Sequence, residues 1–162
     1  MEHPMTFPFK PLTALTLTTA LIATAVFADG HADKAAADAI KARHAQMQMV
    51  GYHTGILGGI AKGDAAFDSA VVDAAATNIA ALASMEHATL WVEGSEQGAA
   101  EGSRAKPEIW SDAAGFKTKF GDMETAALAM VGAADAAAVG AVMGALGGSC
   151  KACHETYRGP KN

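Results

Sequence analysis

Apolar residues recur along this chain at steps of three and four, the spacing of one face of an α-helix. The first such run extends from about Ala32 to Ala61, with Ile40, Met47, Val50, Thr54, Leu57 and Ala61 on one side. Gly63-Asp64 stops it. A second run, about Asp68 to Met85, turns Val72, Ala75, Ile79, Leu82 and Met85 inward, and Asp68 or Ser69 can cap its first turn. Residues 86–107 hold no period and form a long connection closed by Pro107. A third helix, capped by Ser111 or Asp112, carries Phe116, Phe120, Met123, Ala127 and Met130 on one face. After a turn at Gly132 to Asp135, a fourth carries Val139, Val142, Met143, Leu146, Cys150, Cys153 and Tyr157. Arg158-Gly159-Pro160 ends it. Four amphipathic helices with mostly short connections predict an all-α, antiparallel four-helix bundle. The plainer alternative is an irregular all-α domain.

Composition favours helix as well, because Ala dominates and aromatic residues are only 6% of the chain. Hydrophobic residues make up 51% and charged residues 18%, which fits a folded domain and not a disordered one. The formal net charge is −5 and no Lys/Arg cluster occurs, so nucleic acid is not an expected partner.

The N-terminus reads differently from the rest. Lys10 precedes an apolar stretch, Leu12 to Val26, which ends in Val26-Phe27-Ala28. This pattern predicts a secretory signal peptide cleaved after Ala28. The mature domain is then 29–162, periplasmic and free of the membrane. A retained anchor is the rival, although the run falls short of the ~20 apolar residues a span needs.

Both cysteines fall in Cys150-Lys151-Ala152-Cys153-His154. Cys-x-x-Cys-His is the attachment signature of a c-type haem. Two thiols a helical turn apart can reach the vinyl groups on one porphyrin edge, and the next residue offers an imidazole to the iron. Three other readings compete. A zinc site needs more ligands than this segment has. A thioredoxin-like pair belongs beside a βαβ pattern, which the sequence lacks. A disulfide across so short a loop adds little stability and has no use for His154. Gly144, Gly147 and Gly148 just before the motif suggest either close approach of a flat group or simple Gly richness.

With these residues in place, the mature chain resembles the class II cytochromes c, the cytochrome c′ family. The matching pieces are Arg43-His44-Ala45-Gln46-Met47, Ile60-Ala61-Lys62-Gly63, Arg104-Ala105-Lys106-Pro107-Glu108-Ile109-Trp110 and Cys150 through Arg158. The resemblance implies one covalent haem c near the C-terminal end of the bundle, with His154 as axial ligand. The sequence offers no catalytic triad, paired carboxylate or substrate-like motif, so no enzymatic activity is expected. In low-spin members of that family the position of Met47 is a second ligand, which makes the protein a carrier of single electrons between redox partner proteins. In five-coordinate members an apolar residue screens the open face, and the protein binds nitric oxide or carbon monoxide. Met47 also fits as a packing residue. His44 and His53 are competing ligands, and His44 is placed at the haem edge. Arg43 is positioned for a haem propionate or for solvent, and Arg158 for the proximal side of the haem or the helix dipole. Met85, Met123, Met130 and Met143 are expected in the core, Trp110 and Tyr157 as packing residues, and His87 in solvent. Family members are often homodimers, so a homodimer is a possible assembly.

Overall fold

The computed structural model describes the backbone of residues 23–161 and the side chains of 30–161. Most of the expected signal peptide, 1–28, lies outside the described residues. Five helices follow in order: α1 (Ala23–Lys62), α2 (Ser69–Ala83), α3 (Glu108–Ser111), α4 (Ala113–Leu128) and α5 (Ala136–Tyr157). The one-turn α3 was not anticipated. It sits between Pro107 and Asp112, two residues that each start a helix.

The helix ends follow from local chemistry. Asp68 accepts from the N–H groups of Ala70 and Val71, Asp112 from that of Gly115, and Asp135 from that of Ala138. Each aspartate thus satisfies donors that an α-helix leaves unpaired in its first turn. At the other end of α1, Gly63 adopts φ +80°. Its N–H bonds the Ile60 carbonyl, and the Asp64 N–H bonds that of Gly59. This double closure needs a left-handed residue, and glycine takes that conformation without strain.

Each long helix packs on two others, α1 on α2 and α5, and α4 on α2 and α5. The short connections make α1 and α2, and likewise α4 and α5, antiparallel neighbours. The structure is therefore the expected four-helix bundle. Leu57, Ile60, Val72, Ile79, Met130, Val139 and Leu146 are fully buried. They come from the end of α1, most of α2, the region after α4 and the first half of α5, so the packed core fills one end of the bundle. α5 is long and apolar enough to cross a membrane by composition, but here it packs against α1 and α4.

Several expectations are corrected. Met85 is 43% exposed, because α2 ends at Ala83 and Ser84 caps it. Met143 is only partly buried. His87 is half-buried, with its ring 4.0 Å from that of Phe120, and burial lowers its pKa. Gly144, Gly147 and Gly148 are exposed, and an added Cβ at any of them meets open space. No other part of the protein approaches them.

Candidate functional site

The other end of the bundle holds a cavity of about 490 Å³, within the usual range of a small-molecule site. α1 lines it with Ile40, Arg43, His44, Met47, Val50, Gly51 and Thr54. These positions recur at three and four, so one face of α1 forms the wall. α5 faces it with Cys150, Cys153, His154, Tyr157 and Arg158, again one helical face. α4 adds Phe116, Lys119, Phe120 and Met123, α3 adds Ile109, and the long connection adds Trp91, Ser103, Arg104 and Ala105. α2 contributes nothing, and the connection stands where a fourth helical wall would.

All seven residues singled out from sequence as cofactor or metal contacts therefore line one cavity: Arg43, His44, Met47, Cys150, Cys153, His154 and Arg158. His53 does not. It is buried on another face of α1, beside Tyr52, which removes it as a ligand here. Arg43 is buried rather than solvated. Its guanidinium lies 4.6 Å from the Trp91 ring centroid, and Nη2 donates to the Ser95 carbonyl at 3.1 Å. Nη1 is buried with no partner. A buried N–H of that kind calls for an acceptor, and the adjoining space is the cavity.

No disulfide joins Cys150 and Cys153 in the structure. Burial pushes the Cys153 thiol up to about 11, helped by Cys150 and opposed by Lys119 and Arg158. His154 is shifted down, by burial first and then by Arg158 and Arg104. A neutral imidazole is the form that ligates a metal. Among the described residues no group of three or more His, Cys, Asp or Glu gathers as a metal site.

A family model for cytochrome c′ matches residues 38–158. The chain belongs to the cytochrome c′ family. A cytochrome c-554 of Cereibacter sphaeroides is 44% identical over 121 residues, 74% of this chain and 91% of that protein. A cytochrome c′ of Rubrivivax gelatinosus is 37% identical over 125 residues, 75% of this chain and 94% of its own. Among solved structures, the cytochrome c′ from "Rhodobacter Spheriodes" superposes with a TM-score of 0.72 at 30% identity, covering 78% of this chain and 98% of the other.

Cytochromes of this family carry a covalent haem c, and the residues here fit one. The cavity is largely apolar, both thiols and an imidazole open into it from one helix, and Arg43 brings an unpartnered donor. Sequence reasoning missed part of this cytochrome's site. Ser95 and Ser103 are buried in the connection, where Ser103 Oγ donates to the Ser95 carbonyl at 2.6 Å. The Arg104 carbonyl accepts from the Gly159 N–H at 2.7 Å, and Lys106 N–H donates to the Tyr157 carbonyl at 3.0 Å. These bonds fasten the connection to the end of α5. Tyr157 Oη donates to Asp112 at 2.6 Å. Lys119 was detectable, since it lies one turn from Phe116 and Met123 on the same face.

Proposed function

We propose that this cytochrome is a periplasmic carrier of single electrons, with haem c tethered at Cys150 and Cys153 and its iron held by His154 and Met47. The observation that carries this reading is the meeting of Met47, from α1, with the two thiols and His154, from α5, on one cavity. A bound haem supplies a reversible one-electron change at its iron. The remaining chemistry belongs to the chain. Cys150 and Cys153 fix the group by two bonds to one helix, so its orientation follows α5. His154 offers a neutral nitrogen. Met47 offers a soft thioether, which suits ferrous iron and raises the potential relative to an open site. Arg43 holds a donor toward the cavity while Trp91 and Ser95 keep its guanidinium in place. With both ligands supplied by a packed bundle, little has to rearrange as the electron moves. The N-terminal leader pattern supports export. The absence of any paired-carboxylate or triad motif in the sequence supports a carrier over an enzyme.

The test is spectroscopic. The ferric protein is expected to be low-spin, with the far-red charge-transfer band of a methionine-ligated haem and poor carbon monoxide uptake when reduced. Met47→Ala should abolish the band and open the site to carbon monoxide, whereas Met123→Ala should keep the band. A high-spin wild type that takes up carbon monoxide readily would instead mark a five-coordinate gas-binding cytochrome c′.

A further inference from the structure

The cavity collects charge of one sign. Arg43, Arg104, Lys119 and Arg158 line it, His44 stands beside them, and no Asp or Glu is among the lining residues. The whole chain has 17 acidic residues against 12 Lys and Arg. A sample drawn at that ratio would be acidic, so the cationic lining runs against the composition.

Most of these charges are not cancelled locally. Arg104 donates from Nε and Nη2 to the Gly159 carbonyl, at 2.9 and 2.7 Å, and from Nε to the Pro160 carbonyl at 3.1 Å. Those acceptors are neutral. Arg158 is exposed, and Arg43 bonds a carbonyl. Of the four cations only Lys119 has an ion pair among the described residues, Asp122 at 3.7 Å. The nearby Glu155 is paired with Lys151 at 3.7 Å. A haem brings propionate carboxylates of its own, but a pair of them still leaves an excess of positive charge.

The opposite sign lies across an aromatic wall. Trp91, Phe116 and Phe120 line both this cavity and a second groove, whose charged residues are Glu86, Glu93, Glu124 and Lys117. An acidic surface is repelled from that groove and drawn to the cavity mouth. At physiological salt the screening length is about 8 Å. A docking partner therefore responds to the charges at the mouth more than to the distant net charge.

We propose that the rim formed by His44, Arg104, Lys119 and Arg158 is the docking surface for a redox partner whose contact face is acidic. This rests on the electron-carrier reading above, and the experiment separates the two. The reduced haem protein is mixed in stopped flow with ferricyanide, an anion, and with tris(phenanthroline)cobalt(III), a cation, at ionic strengths of about 0.05 to 0.5 M, a range that spans strong to weak screening. The ferricyanide rate is expected to fall by about threefold or more as salt rises, and the cobalt rate to climb. Lys119→Gln combined with Arg158→Gln should remove about half of the ferricyanide salt dependence. Lys62→Gln, more than two helical turns beyond Thr54, should leave it unchanged. A ferricyanide rate that climbs with salt, as the net charge of −5 alone demands, overturns the docking surface and leaves the carrier reading intact.

A second readout needs no electron transfer. A decaglutamate peptide titrated into the same protein at low salt should shift the amide resonances of His44, Arg104, Lys119 and Arg158, and salt should reverse the shifts. Absence of shifts at these positions overturns the proposal. If the peptide shifts them but neither oxidant takes an electron, the docking surface stands and the carrier reading fails.

Discussion

Arg43→Met tests whether the cavity holds an anionic group. In wild type the guanidinium lies 4.6 Å from the Trp91 centroid, a contact worth about 1–2 kcal/mol when desolvated. The bond from Nη2 to the Ser95 carbonyl adds about 1 kcal/mol. It stays at that low end because the same carbonyl also accepts from Ser103 Oγ and is not orphaned by the substitution. Against these stands Nη1, buried with no protein partner, at a cost of about 1–3 kcal/mol. With protein groups alone these contributions nearly cancel, and Arg43→Met should change stability by less than about 1 kcal/mol. A haem propionate accepting from Nη1 reverses the balance. The penalty disappears, and a charge-assisted bond of about 1.5–3 kcal/mol is added. The expected loss in the haem-loaded protein is then about 3.5–6 kcal/mol. Guanidinium unfolding of the ferric protein, followed by helical circular dichroism, measures it as a lower midpoint at constant slope. Arg43→Lys should recover only part, because an ammonium lacks the planar fork. A loss below about 1 kcal/mol for Arg43→Met refutes the pairing.

Three further outcomes follow from the site. Cys150→Ala with Cys153→Ala should release haem from the polypeptide on denaturing electrophoresis, while wild type keeps it, as read by haem staining. Gly115→Ala should destabilise by about 1–2 kcal/mol in urea unfolding, although helix propensity alone predicts a gain of up to about 1 kcal/mol. The added Cβ would run into the Asp112 carboxylate and come within 2.6 Å of Tyr157 Oη. The Asp112 carboxyl is held below its ordinary 3.8 by the Tyr157 hydroxyl and then by the Gly115 N–H. Its stabilising effect is therefore complete above that value and lost as pH falls through the lower folded value. Tyr157→Phe should flatten that acid limb in unfolding midpoints measured against pH.

The helices were legible because their ends and faces are written in local chemistry. Asp68 and Asp112 each stood among two candidate caps and Asp135 at the turn before the last helix, and each accepts first-turn N–H groups. The apolar spacing of α4 and α5 named Phe116, Phe120, Val139 and Leu146, all of which are buried. Met85 misled because the three-and-four spacing continues one step past the point where Ser84 ends α2. His87 misled for a related reason. It begins an aperiodic stretch, yet the rings of Phe116 and Phe120 cover it from another helix.

The site residues on helices were legible from the motif and the helical repeat. Those on the connection were not, because their roles arise from pairings across long sequence distances. Arg43 meets Ser95 and Trp91, roughly fifty residues on, and Arg104 meets Gly159. No period or local signal marks such a contact. The Gly-rich connection reads as loose, yet Ser95 and Ser103 are buried within it and bonded to one another.

Two thioethers line the cavity, Met47 on α1 and Met123 on α4, and their surroundings argue for different roles. Met123 is 7% exposed and belongs to the packed core with Phe116 and Phe120. Drawing its side chain out toward an iron would leave a void among those rings, at a cost on the scale of a large-to-small core substitution, about 2–5 kcal/mol. Its helix also flanks the attachment edge, since Lys119, one turn earlier, acts on the Cys153 thiol. Met47 is half-buried at the edge of the core. Its unbranched side chain can reorient without emptying a packed site. It also shares its helix face with Arg43 and Val50, which line the same wall of the cavity. The sulfur that moves at least cost to the fold is thus that of Met47, which supports the ligation proposed above over one by Met123.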